Sequence, residues 1–212
     1  MNKETVQKAL AELKKQPKRQ FSQSYDMVIN LKNIMIKSNP VDFFVTLHYP
    51  KGKKVKVACF GGLALSEEAK KHCDLLISEE DFPKYKDPKV AKKLAQQYDY
   101  FVAQATLMPK IAAAFGKVLG VRGKMPNPKL GCVVPPNANL EPLVAKLNKT
   151  VRLRANKATN LQCMVGKDSQ PDDEIVDNII TIHQAAVKNL PNESQNIKSV
   201  ALKLTMGKPV NL

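Results

Sequence analysis

Residues 55–77 read VKVACFGGLALSEEAKKHCDLLI, and their rhythm decides how the chain divides. An apolar run, VKVACF (55–60), passes through Gly61-Gly62 into a helix over 66–73 and then a second apolar run, DLLI (74–77). Apolar strands alternating with helices imply parallel strands joined by crossover helices. The alternation continues with a helix over 88–97, the strand YFVAQ (100–104) and a helix over 107–119, with Thr106 as its expected N-cap and Pro109 in its first turn. A Gly-, Pro- and Asn-rich loop over 120–139 and a helix near 140–148 complete this stretch.

Outward from it the pattern changes on both sides. The N-terminal residues form an amphipathic helix, since Val6, Ala9, Leu10 and Leu13 recur at helical spacing and Pro17 closes the run. Strands YDMVINLKN (25–33) and DFFVTLHY (42–49) follow, separated by the turn residues Ser38, Asn39 and Pro40, and are expected to pair antiparallel. Beyond residue 150 come strands VRLRA and LQCMVG, a helix from Pro171 to about Leu190 opened by Asp172, Asp173 and Glu174, and a last strand. The expected fold is therefore mixed. A split α+β domain from residues 1–53 and 151–212 carries an inserted α/β domain over 54–150.

The chain holds 34 Lys+Arg against 19 Asp+Glu, a net charge of +15, which points to a polyanionic partner, nucleic acid before membrane. The outer segments carry 18 basic and 10 acidic residues and the insert 16 and 9, so neither part alone accounts for the excess. With no apolar segment resembling a signal peptide or a membrane span, a cytosolic protein is expected. Cys59, Cys73, Cys132 and Cys163 lie far apart without a CxxC pair, so they are expected to be reduced, mostly buried small apolar residues, not metal ligands or disulfides.

No catalytic constellation emerges. His72-Cys73 are helix neighbours and point in different directions; His48 and His183 stand alone; Glu67-Glu68 and Glu79-Glu80-Asp81 fit solvated helix starts. Gly61-Gly62 between strand and helix invites a nucleotide-binding enzyme as the rival reading, but there is no G-x-G-x-x-G or P-loop, and a plain glycine turn accounts for it. More informative is the loop LGVRGKMPNPKLG (119–131), where prolines stiffen a segment carrying Arg122, Lys124 and Lys129. PKRQFSQSYD (17–26) joins Lys18 and Arg19 to Phe21, the chemistry of unpaired or bulged RNA, although a core role for the ring is equally open. In the ending SVALKLTMGKPVNL (199–212), a strand continued past Leu204 would by parity put Met206 on the buried face with it. A ragged strand end and a glycine that lets another backbone come close are both open.

Four motifs in order resemble the ribosomal protein L-one family, in its archaeal and eukaryotic form. Phe21-Ser22-Gln23-Ser24 matches its F-x-Q/E-S/T stretch, Gln104-Ala105-Thr106-Leu107-Met108-Pro109 its Q-A-x-L-M-P helix start, residues 120–128 its G-P-R-G-K/L-M-P-x-P loop, and Thr205-Met206-Gly207-Lys208-Pro209 its T-M-G-x-P ending. The short length is that of the archaeal form. Val121 replaces the usual proline and is expected to loosen the loop; Gln20 replaces a common basic residue, leaving that phosphate contact to Arg19.

The resemblance implies a non-enzymatic protein without cofactor or metal, its split domain ferredoxin-like and its insert a Rossmann-like three-layer domain. It implies a cytoplasmic, ribosome-bound monomer that holds large-subunit ribosomal RNA at the mobile side stalk. It further implies a part in releasing exit-site tRNA and translational repression of its own mRNA. The RNA site it implies comprises Lys18, Arg19, Phe21, Ser24, Asp26, Lys167, Thr205, Met206 and Gly207. Thr205 would exchange hydrogen bonds with a 2′-OH, Met206 would cover a ribose or base, and Gly207 would admit the RNA backbone. Arg122, Lys124 and Lys129 would form a second loop facing RNA or tRNA.

Overall fold

The computed structural model describes residues 2–17, 19–36, 39–85, 87–155 and 158–212; the sequence readings at Lys18 and Ser38 lie outside them. In chain order the elements are α1 (Lys3–Lys14), β1 (Ser24–Leu31), β2 (Val41–Thr46), β3 (Val57–Phe60), α2 (Leu63–His72), β4 (Leu75–Ile77), α3 (Pro88–Gln97) and β5 (Tyr100–Gln104). There follow α4 (Met108–Phe115), β6 (Val133–Val134), α5 (Glu141–Lys149), β7 (Thr150–Ala155), β8 (Asn160–Lys167), α6 (Asp172–Asn189), β9 (Ile197–Leu204) and β10 (Val210–Asn211). No helix among the described residues is long and apolar enough to cross a membrane.

The chain forms two compact units, residues 1–53 with 149–212, and residues 54–148. In the split unit a four-stranded sheet runs β10-β9-β1-β8. Its second strand from the β8 edge, β1, comes from one end of the sequence and all its neighbours from the other, so this sheet requires both ends. The strand alternates strictly: Tyr25, Met27, Ile29 and Leu31 face the core, while Ser24, Asp26, Val28 and Asn30 take the open face. The core face packs against the apolar stripes of α1 (Val6, Leu10, Leu13) and α6 (Ile175, Val176, Ile179, Ile182). Asn178 is the polar exception in that stripe. Fully buried, it donates to Val165 O and Tyr49 O and accepts from Tyr49 N–H, so its carboxamide is satisfied.

Strands β1 and β2 do not pair with each other. β1 lies antiparallel to β8 and β9, and β2 to β7 in a separate two-stranded sheet. The two strands thus belong to different sheets and form no hairpin.

The second unit carries a parallel sheet in the order β4-β3-β5-β6. All four residues of β3 are buried, as expected of a central parallel strand covered on both faces. Phe60 packs among Phe82, Phe101 and Phe115, with ring centroids 6.0, 5.7 and 5.0 Å away. The segment read as a helix over 107–119 and then a loop is helical further on. A π-helical turn, Gly116–Gly120, follows α4, and Val121 continues in helical geometry (φ −58°, ψ −35°) with its side chain exposed. Val121 therefore stands in a helical continuation and not in a loop.

Candidate nucleic-acid interface

Antiparallel register brings three loops to one end of the split unit's sheet. Ser24 sits opposite Lys167 of β8, and Tyr25 opposite Leu204 of β9, so the chain entering β1, the chain leaving β8 and the chain leaving β9 emerge side by side. Backbone and side-chain hydrogen bonds fix them there. Ser22 Oγ donates to Asp168 Oδ1 (2.9 Å), and Asp168 N–H donates to Gln23 O (3.0 Å). Gln170 Oε1 accepts from Lys167 N–H (2.8 Å). Arg19 and Phe21 project from the first loop, with Phe21 47% exposed, so its ring is not part of the core.

Met206 is 71% exposed and has φ +62°. Strand parity fails here because β9 ends at Leu204; residues 205–207 turn, and β10 returns to pair with β9. Thr205 Oγ1 lies 3.3 Å from both Ser24 N and Ser24 O, so the hydroxyl accepts from Ser24 N–H, donates to Ser24 O and keeps one lone pair for a further partner. Gly207 also has a role within the protein itself. A Cβ built there would stand 2.7 Å from Gln16 Oε1 and 3.2 Å from Leu204 Cβ and Leu204 O, so the missing side chain makes room for the protein's own chain.

On the open face, Asp26 lies opposite Lys203 and lines a depression of about 280 Å³ with Val28, Gln162, Cys163, Met164 and Lys203. Burial raises the Asp26 pKa above the ordinary carboxylate value, and Lys203 opposes that shift.

Of the second loop, Arg122 and Lys129 are exposed, whereas Lys124 is turned inward. Its ammonium donates to Ala95 O (2.9 Å) and Tyr98 O (2.7 Å), capping the carbonyl end of α3 against the negative end of its dipole. The sequence-based assignment of Lys124 to a phosphate is corrected accordingly. Lys124→Ala is expected to destabilise the insert by about 2 kcal/mol, measured by thermal unfolding, and to leave the salt dependence of RNA binding as in wild type.

The glycine turn of the rival reading is occupied by the chain itself, since Gly62 N–H at the start of α2 donates to Gln104 Oε1 (2.9 Å). His48 pairs with Asp177 (2.6 Å) and His72 with Glu68 (3.7 Å). All four cysteines are free thiols; Cys59 and Cys132 are buried, Cys73 and Cys163 only half-buried. Among the described residues no group of three or more His, Cys, Asp or Glu could hold a metal ion.

The residues missed from sequence are the ones that tie the loops, Gln16, Gln23 and Asp168, with Gln170 bracing the Lys167 turn. Only Gln23 left a signal. It stands at the buried parity of β1, two residues before Tyr25, where a polar side chain needs an internal partner.

An exposed ring, cations and an apolar turn on a fixed sheet end are groups suited to holding a ligand. Residues 13–208 match the profile of the Ribosomal protein L1p/L10e family. Similar proteins include the large ribosomal subunit protein uL1 of Nanoarchaeum equitans, 39% identical over 92% of this chain and 93% of its own. The uL1 proteins of Pyrococcus abyssi (39% identical, all of this chain, 96% of its own) and Thermoplasma acidophilum (36% identical, all of this chain, 97% of its own) are also similar. The chain belongs to the ribosomal protein L1p/L10e family, whose members are structural and non-enzymatic.

Proposed function

We propose that this chain is a structural protein of the large ribosomal subunit, in the cytoplasm, that binds the subunit's RNA at the side stalk through the sheet end of its split unit. The observation that carries this is the convergence of the Phe21 loop, Lys167 and the Thr205–Gly207 turn at one end of one sheet. Arg19 and Lys167 supply phosphate contacts, together with Lys18. Phe21 stacks on a base, Met206 covers a ribose or base, and the spare lone pair of Thr205 meets a 2′-OH. Ser24 and Asp26 accept or donate beside them. Arg122 and Lys129 form a second basic site facing RNA or exit-site tRNA, and the same sheet end binds a mimic of the ribosomal site in the protein's own mRNA. The test is titration of the full chain with large-subunit RNA at several salt concentrations, with small-subunit RNA as competitor. The expected result is a linear fall of log affinity with log salt, and a preference for large-subunit RNA of about 10³-fold or more. Equal affinity for both RNAs, or no salt dependence, would contradict it.

Asp26 separates binding from stability. Because its folded-state pKa is raised, the folded protein holds this proton more tightly than the unfolded chain does. Its contribution to stability is complete below the unfolded carboxylate's pKa and is lost as pH rises through the raised value. Ionised Asp26 is therefore a cost to the free protein at neutral pH. Asp26→Asn is expected to leave the protein at least as stable at pH 7, to flatten this acid-range slope, and to weaken RNA binding. Thermal unfolding across pH 3–7 and equilibrium binding check both halves.

A further inference from the structure

Met206 combines two unfavourable features: a left-handed backbone in a residue with a side chain, and an apolar side chain in solvent. Its neighbours show what holds it there. The peptide before it is fixed by Thr205 N–H donating to Ser24 O (3.0 Å) and by Gln23 Nε2 donating to Thr205 O (2.8 Å). The turn closes through Gly207 N–H to Leu204 O (2.8 Å). The chain after it is gripped from both sides by one carboxamide: Gln16 Nε2 donates to Lys208 O and Gln16 Oε1 accepts from Lys208 N–H, each at 3.0 Å. Gln16 follows α1, and Gln23, 4% exposed, belongs to the stretch that carries Phe21. Gly207 completes the grip, since any Cβ there would press on Gln16 Oε1.

We propose that Gln16 and Gln23 are positioning residues for RNA binding, which act through Met206 by holding its side chain outward in the bound geometry before RNA arrives. The inference rests on the reading of the Thr205–Gly207 turn as RNA-facing. Its physical basis is preorganisation: a turn already fixed in its binding conformation has less freedom to lose on association. Gln23 also links the turn to the Phe21 loop, so one carboxamide registers both contacts against each other.

The test is a double-mutant cycle on the full chain, with affinity for large-subunit RNA as the readout and circular dichroism to verify the fold. Gln16→Ala is expected to weaken binding about tenfold in the wild-type background and not at all in a Met206→Ala background. Gly207→Ala, which crowds Gln16 without removing it, should reproduce the loss. So should Gln23→Met, which keeps the side-chain length and adds no charge but cannot donate to Thr205 O. The salt slope should stay at its wild-type value in all three, since no phosphate contact is removed. If Gln16→Ala weakens binding equally in both backgrounds, Gln16 acts by its own contact and the inference falls. Wild-type affinity in all three variants, with Met206→Ala weakened, overturns the inference and leaves the RNA-facing turn standing. Wild-type affinity in Met206→Ala itself overturns the RNA-facing turn and the inference with it.

Discussion

Met206→Ala is expected to lower the affinity for large-subunit RNA about 10- to 100-fold while barely changing the melting temperature. The side chain is mostly in solvent in the free protein, so its removal costs little packing. On binding, covering it against a ribose or base removes apolar surface from water, a gain of about 1.5–3 kcal/mol for a methionine fully buried, which corresponds to that range of affinity. Met206→Leu should keep most of the binding, since area and not polarity is at stake. Equilibrium binding at fixed salt, beside thermal unfolding, separates the two effects. An alanine variant that binds like wild type would mean that the turn faces solvent in the complex.

Phe60→Ala should produce the opposite pattern, a large loss of stability with RNA affinity intact. Phe60 is fully buried and meets three other rings in the insert's own cluster, which shares no residue with the cluster under the split unit's sheet. Truncating a buried phenylalanine costs about 3–5 kcal/mol, and that loss should fall on residues 54–148 alone. Calorimetry should show one transition moved to lower temperature and the other unmoved. Affinity measured below the lowered transition should match wild type. Loss of both transitions together would show that the two cores are energetically one.

These contrasts rest on features of unequal legibility. The stripe of α1 and both bounds of α3 could be read from residue spacing alone, because each is a local pattern: apolar residues at helical period, or Asp87 capping Lys89 N–H ahead of Pro88. The alternation of strands and helices in the insert was equally local. Pairing was not. The neighbours of β1 begin beyond residue 159, and nothing within residues 24–46 distinguishes a hairpin from two strands that part company, since strand partners are chosen by packing far away in sequence. The site divides in the same way. Phe21 and Met206 stand in motifs and are exposed, but the inward turn of Lys124 depends on where α3 ends in space, and the grip of Gln16 on Lys208 joins residues with no periodic relation. Parity would bury Met206 only if the strand went on, and a positive φ at the next turn is invisible to it.

Amide hydrogen exchange of the full chain with and without large-subunit RNA tests the central claim most directly. If the sheet end of the split unit is the RNA interface, exchange should slow at residues 19–26, 166–168 and 205–208 when RNA is added, and the slowing should weaken as salt rises. Slowing confined to residues 54–148, with the three converging loops unchanged, would contradict it.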